Sequence, residues 1–194
     1  MPVRIIADSA CDMASADHPQ LTVLPLTVAF GTAVYQDGVD LSHERFYELL
    51  IESDELPSTG QVNPYAYTQA YEEAVAAGED IVVIALSSKL SGTHQSAVTA
   101  AAQIDAPVRI VDTQSVTVGE HILVKYALQL VDRGLGVQQI ADASRPRAIA
   151  WLSSACSIPL STCVAAAESP ARWARWARCF PSSPWSPLRT ARSI

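Results

Sequence analysis

The stretch Ile81-Val82-Val83-Ile84-Ala85-Leu86, followed directly by Ser87-Ser88-Lys89-Leu90-Ser91-Gly92-Thr93, decides the fold. Its six consecutive apolar residues predict a strand buried on both faces, as the central strands of parallel sheets are. The turn after it is rich in hydroxyl groups, and an Ala-rich segment that runs through Ala102 predicts a helix. Strand, polar turn and helix in this order are typical of an α/β protein.

Similar units lie on both sides of this stretch. Residues 3–7 and 108–111 are short β-rich runs, and residues 21–30 form a longer one that Pro25 interrupts. Helices are expected after Ser42 and Asn63, which are good N-cap residues, and over a segment with apolar side chains at Ile122, Leu123, Tyr126, Ala127, Leu130 and Val131. Residues 57–62 are predicted to be a loop. We therefore predict an α/β fold with an open, mostly parallel sheet and flanking helices over residues 1–144.

The composition divides the chain into two parts. Of its 194 residues 49% are hydrophobic and 17% charged, which excludes a disordered chain. Residues 1–144 hold 6 basic and 19 acidic side chains, a net charge of −13, whereas residues 145–194 hold 7 Arg and one acid, a net charge of +6. No apolar run is long enough for a membrane span and no leader peptide is recognised, so a cytoplasmic location is expected.

Three predicted strands end in polar turns. These turns contain Asp8 and Ser9, Ser87 and Ser88, and Asp112 and Ser115. The carboxyl ends of strands form the ligand crevice of open α/β sheets, and helix N-termini there favour an anion. Helix capping alone accounts for any one turn about as well, but three such turns together with Thr59 favour an anion-binding site.

Catalytic and metal-binding motifs are missing from the sequence. There is no G-x-S-x-G elbow, P-loop or G-x-G-x-x-G, and the four His residues and four Cys residues show no ligand spacing. A small α/β hydrolase or phosphotransferase that uses Ser91 or Asp8 as nucleophile stays open as the alternative. No cofactor and no metal are expected.

The motifs together resemble those of the DegV family of fatty-acid-binding proteins. They are an early Asp-Ser-x-x-Asp, Leu24-Pro25-Leu26, Tyr35-x-Asp37-Gly38, Pro57-x-Thr59-x-Gln61, Leu86-Ser87-Ser88-x-Leu90-Ser91-Gly92-Thr93 and Val111-Asp112-Thr113. They occur in the family's order over about residues 3–142. The chain differs from the family's Thr-Ser-Gln-Pro-Ser loop by having Gly60, Val62 and Asn63.

The resemblance implies a non-enzymatic carrier. It assigns the ligand carboxylate to the hydroxyl groups of Thr59 and Ser91, beside Gly60. The N–H groups near Gly92 and Thr93 can add charge-assisted hydrogen bonds. The expected ligand is a long-chain fatty acid such as palmitate. A fatty acid kinase is the partner that the resemblance implies, and the family's intact proteins have a second α/β domain.

The last fifty residues are expected to be an irregular, non-native tail. Arg172-Trp173-Ala174-Arg175-Trp176 could form a basic aromatic patch for nucleic acid or membrane surfaces, but the six prolines and absent glycines fit no regular element. We expect no nucleic-acid partner.

A shifted reading frame explains this composition better. Ser157 to Cys163 can be encoded as TCG ATA CCC TTG AGT ACC TGC, which regroups to DTLEYL. The residues up to Ser186 allow RRGGRISGALGALGSLLSIKPVV in the same frame. This peptide resembles the second-domain sequence of the same family. The hypothesis is a frameshift between about Ala143 and Ala155, which would leave fatty acid binding impaired.

Overall fold

The computed structural model describes residues 2–53 and 55–145. Within them the chain forms, in order, β1 (Val3–Asp8), β2 (Leu21–Leu24), β3 (Thr27–Phe30), β4 (Ala33–Gln36), α1 (His43–Glu52), β5 (Ser58–Gly60), α2 (Pro64–Ala76), β6 (Asp80–Ala85), α3 (Thr93–Ala101), β7 (Val108–Asp112), α4 (Val118–Asp132) and α5 (Val137–Ala143). Short 3-10 turns cover Ser9–Cys11 and Ser15–Asp17. The predicted tail, apart from Arg145, lies outside the described residues.

The main sheet has four parallel strands in the order β2-β1-β6-β7. Ile81 to Ala85 of β6 are all buried, in agreement with the prediction from their continuous apolar run. The structure thus confirms the predicted α/β fold with a parallel sheet. Its strands β1, β6 and β7 end beside one another, which places the three polar turns on one edge.

Helices cover both faces of this sheet. Side chains alternate across a strand, so Ile5 of β1 packs with α4 and α5 on one face, whereas Ile6 packs with α2 and α3 on the other. Burying each such side chain contributes roughly 1.5–3 kcal/mol. The sheet is therefore packed between two apolar layers, and the turns at its edge follow directly from these buried strands.

The helix N-termini form as their cap residues predict. Ser42 Oγ accepts a hydrogen bond from the Arg45 N–H at 3.1 Å, and Asn63 Oδ1 accepts one from the Tyr65 N–H at 2.9 Å. The buried face of α4 is narrower than predicted, because Ile122 and Tyr126 are each 37% exposed.

A second sheet is antiparallel and small, with the order β4-β3-β5. It packs on α1 through a cluster that includes Phe30, Leu41 and Phe46. The predicted loop 57–62 was wrong in part, since Ser58–Gly60 forms β5. Three residues are too few for a period-two pattern, so pairing with β3 rather than local sequence decides this strand.

Candidate functional site

Direct hydrogen bonds join the polar turns at the carboxyl edge of the main sheet. The Leu86 N–H, just after β6, donates to Asp8 Oδ2 of β1 at 2.9 Å. On the other side, the Ser87 N–H donates to the Ser115 carbonyl at 2.8 Å, and the Ser88 N–H donates to Asp112 Oδ1 at 3.2 Å. The structure therefore brings together the three turns that the sequence placed at strand ends.

The loop with Thr59 lies against the N-terminus of α3. The Val62 N–H donates to the hydroxyl oxygen of Thr93 at 3.3 Å. The Gln61 side chain covers Gly92 so closely that a β-carbon built there would lie 1.8 Å from Gln61 Oε1. Two segments that are about thirty residues apart in the sequence are therefore in direct contact.

Gly60 serves packing at this loop. A β-carbon at Gly60 would lie 2.2 Å from Thr27 Oγ1 on the paired strand β3. The small residue therefore lets β5 approach β3 closely. The family's loop has Ser at this position, whereas here the close approach of Thr27 favours Gly.

The hydroxyl of Ser91 is hydrogen-bonded to Thr93 at the start of α3. The Ser91 and Thr93 hydroxyl oxygens lie 3.0 Å apart and either hydroxyl can donate to the other, while Thr93 Oγ1 also accepts from the Val62 N–H. Ser91 Oγ also accepts from the Thr93 N–H at 3.2 Å. When the Thr93 hydroxyl is the donor of this pair, the hydrogen of Ser91 is available to an anion.

Thr59 and the first turn of α3 supply further donors. The Thr59 side chain is exposed on β5, and its hydroxyl makes no hydrogen bond to residues 2–53 or 55–145. The helix α3 begins at Thr93 with Gly92 as its N-cap, and the first N–H groups of a helix have no partner within the helix. These groups together can bind a carboxylate.

The side chains of Ser87, Ser88 and Asp112 are used within the turns, whereas Ser115 takes part through its backbone N–H and carbonyl. Ser88 Oγ donates to Asp112 Oδ2, and the Gln114 N–H donates to Asp112 Oδ1 at 2.9 Å. Burial raises the pKa of Asp112, but the bonds from Ser88 and Gln114 lower it more, so the net shift is downward. Ser87 Oγ accepts from the Lys89 N–H at 3.3 Å. These residues shape the turns.

Asp8 and Ser9 are likewise engaged inside the protein. Asp8 is fully buried and accepts from the Leu86 and Ala10 N–H groups, the latter at 3.2 Å. Ser9 Oγ accepts from the Leu26 N–H at 3.1 Å and donates to Asp37 Oδ2 at 2.7 Å. Ser9 therefore ties the main sheet to the segment that leads into the small sheet.

Two residues near this edge were not predicted as site residues, although Gln61 is part of the motif Pro57-x-Thr59-x-Gln61. Gln61 covers Gly92, and its role depends on a contact between distant segments. Glu120 is fully buried on α4, one helical turn before Leu123. Its position, an acidic residue on the apolar face of a helix, could have indicated a special role. The prediction considered only residues at strand ends and therefore left Glu120 out.

Two negative findings apply to the described part of the chain. Residues 2–53 and 55–145 contain no cluster of three or more His, Cys, Asp or Glu side chains suited to a metal ion. None of the helices in these segments has the length and apolar character needed to cross a membrane.

Comparison with known proteins identifies relatives of the described fold. Residues 2–148 match the family described as "Uncharacterised protein, DegV family". A DegV domain-containing protein of Deinococcus radiodurans is 37% identical over 144 residues, which are 73% of this chain and 51% of the relative. One of Clostridium perfringens is 29% identical over 141 residues, covering 71% and 50%.

Solved structures agree with these sequence matches. The fold is similar to DegV of Bacillus subtilis, described as a fatty acid binding protein, with a TM-score of 0.68, 25% identity and coverage of 74% of this chain and 52% of that one. A stearic-acid-binding protein of Eubacterium ventriosum has a TM-score of 0.67 and 26% identity over 73% and 52%. The chain thus spans about half the length of its relatives, and it belongs to the DegV family.

Proposed function

We propose that residues 1–144 form the head-group half of a long-chain fatty acid carrier. The hydroxyl groups of Thr59 and Ser91 bind the ligand carboxylate, with the Gly92 N–H as a further donor, while the Thr93 N–H holds Ser91 Oγ at 3.2 Å. The observation that carries this proposal is the contact of Gln61 and Val62 with the α3 N-terminus, because it unites the two hydroxyl-bearing loops. Two related proteins of similar fold, from Eubacterium ventriosum and Bacillus subtilis, are described as fatty acid binding, which supports the proposal.

The geometry favours binding over the alternative of hydrolysis or phosphotransfer. Within residues 2–53 and 55–145, Ser91 Oγ contacts the Thr93 hydroxyl and N–H, and no His, Asp or Glu lies in hydrogen-bond reach to act as its base. Asp8 is fully buried and holds two backbone N–H groups, so a substrate cannot reach it. As the resemblance implies, the bound acid would be presented to a fatty acid kinase.

The frameshift hypothesis bears directly on this function. We propose that the chain is out of frame after a point between about Ala143 and Ala155, so that the family's second half is replaced. An acyl chain contributes roughly 0.8 kcal/mol per buried methylene, and a single domain offers it little enclosure. The chain as it stands is therefore expected to bind fatty acid poorly. Resequencing the coding DNA tests the hypothesis, and wobble bases that do not encode the family's text would overturn it.

Palmitate titration tests the binding site. The protein encoded by the restored frame should bind, and the double variant Thr59→Val, Ser91→Ala should bind at least about 100-fold more weakly, since hydrogen bonds to a charged group are each worth about 1.5–3 kcal/mol. Thr99→Val, on the exposed side of α3, is the matched control and should bind like the parent protein. Unchanged affinity in the double variant would contradict the assignment. Ester turnover that Ser91→Ala abolishes would favour the hydrolase instead.

A further inference from the structure

Glu120 is a buried acid whose environment offers it no charge partner. It is 0% exposed on α4, and neither carboxyl oxygen has a hydrogen-bond donor within residues 2–53 and 55–145. The ion pairs of these residues involve other side chains. Burying an unpaired charge costs far more free energy than burying a neutral acid.

The groups that face Glu120 are acidic or neutral. Asp8 and Asp12, at the end of β1, interact with it electrostatically, and Asp8 is also 0% exposed. The Cys11 thiol and the Tyr67 hydroxyl also interact electrostatically with Glu120 and Asp8. The neighbouring His121 directs its ring Nδ1 to the Cys11 carbonyl at 2.9 Å and makes no ion pair within the described residues. A negative charge on Glu120 is therefore unfavourable.

We propose that Glu120 is a neutral carboxylic acid that shares its proton with the Asp8 carboxylate, and that this pair holds the turn carrying Ser91. Two carboxyl groups in contact can bond only when one of them carries a proton. That proton gives one of the two Glu120 oxygens a partner and leaves Asp8 free to accept from the backbone. Glu120 is thus a positioning residue, and its link to ligand binding rests on the proposed function of Ser91.

The backbone contacts of Asp8 connect the pair to the site. Asp8 Oδ2 accepts from the Leu86 N–H and Oδ1 from the Ala10 N–H. Leu86 directly precedes the turn, in which the Leu90 and Ser91 N–H groups both donate to the Ser87 carbonyl. An Asp8 carboxylate that is hydrogen-bonded to Glu120 therefore fixes the position of Leu86, the residue before the turn that contains Ser91.

The direction of both pKa shifts agrees with one shared proton at neutral pH. Burial, followed by repulsion from Asp8, raises the pKa of Glu120 to about 10. Burial raises the pKa of Asp8 to about 6, although its backbone hydrogen bonds act in the opposite direction. Between these values the pair carries one proton and one negative charge.

Infrared difference spectroscopy of the full chain tests the protonation directly. At pH 8 the wild type minus Glu120→Gln spectrum should show the C=O stretch of a protonated carboxylic acid. The glutamine variant has no such group at this position but can still donate to Asp8. A spectrum without this band overturns the proposal. The measurement needs no ligand, so it is independent of whether fatty acid binds.

Amide hydrogen exchange tests the positioning role. Glu120→Leu fills the space without donating a proton to Asp8, and exchange at the Leu86 N–H should become at least tenfold faster, with Glu120→Gln restoring the wild-type rate. Equal protection in the leucine and glutamine variants would overturn the positioning role. If the leucine variant does not fold, exchange at Leu86 in Glu120→Gln decides, because wild-type protection supports the proposal and a tenfold loss overturns it.

Discussion

Asp8 ends β1 and Asp112 ends β7, the two strands that flank β6 in the main sheet. Ser9 follows Asp8, and Ser88 contacts Asp112. Each aspartate also accepts a hydrogen bond from a backbone N–H of the segment after β6. Asp8 is fully buried beside another acid, and its pKa is raised to about 6. Asp112 is partly exposed, and the bonds it accepts lower its pKa despite some burial. Equivalent positions in one sheet therefore give the same residue type different protonation behaviour, and burial decides which.

Removing each carboxyl group should give the largest contrast. Asp8→Ala leaves the Leu86 and Ala10 N–H groups without an acceptor inside the protein and should lower the free energy of unfolding by about 4 kcal/mol. Asp112→Ala should cost only about 1 kcal/mol, because water can replace the partner of an exposed donor. Urea denaturation followed by circular dichroism measures both. Equal losses would show that burial does not separate the two sites.

The pH dependence of stability should have opposite signs at the two sites. A pKa raised by folding stabilises the protein below its unfolded value, and this stabilisation is lost as the pH rises. For Asp8 the loss falls between pH 3.8 and about 6 and amounts to roughly 3 kcal/mol. The loss that comes from Glu120 begins at pH 4.5, overlaps that of Asp8 and continues to about pH 10. The lowered pKa of Asp112 acts in reverse, so its contribution is present above pH 3.8 and lost in acid.

Two amide variants separate these contributions. Urea titrations from pH 3 to 8 should show that Asp8→Asn reduces the decline between pH 4 and 6, and that Asp112→Asn reduces the loss below pH 4. If the stability profiles of both variants ran parallel to that of the wild type, neither aspartate would titrate as its surroundings predict.

The smallest expected effect concerns the segment that joins Asp112 to Glu120. Thr117 has φ 52° and ψ −119°, a conformation that β-branched residues rarely adopt and glycine adopts readily. Thr117→Gly should therefore raise the free energy of unfolding by about 1 kcal/mol. Thr99→Gly, in the ordinary helical backbone of α3, is the control and should lower it by a few tenths to about 1 kcal/mol. Thermal denaturation of both variants measures the difference. A loss at both positions would exclude strain at Thr117.

Local patterns predicted most of the fold and part of the site. The buried strand β6 and the caps at Ser42 and Asn63 depend on neighbours within a few residues, and the structure confirms each of them. The strand β5 escaped prediction because its three residues show no period of their own. Gln61 and Glu120 escaped it because their importance depends on what lies across from them, on Gly92 and on Asp8.

The amino-acid sequence by itself determined the parallel α/β architecture, the polar turns at the strand ends and the motifs of the DegV family. Hydrophobic periodicity and turn chemistry are local properties, so they can be read along the chain. Only the tertiary structure decided which hydroxyl groups keep a free hydrogen and which of two strand-end aspartates is withdrawn from water. Both depend on contacts between distant segments, because hydrogen-bond partners and solvent exposure exist only once the chain has folded.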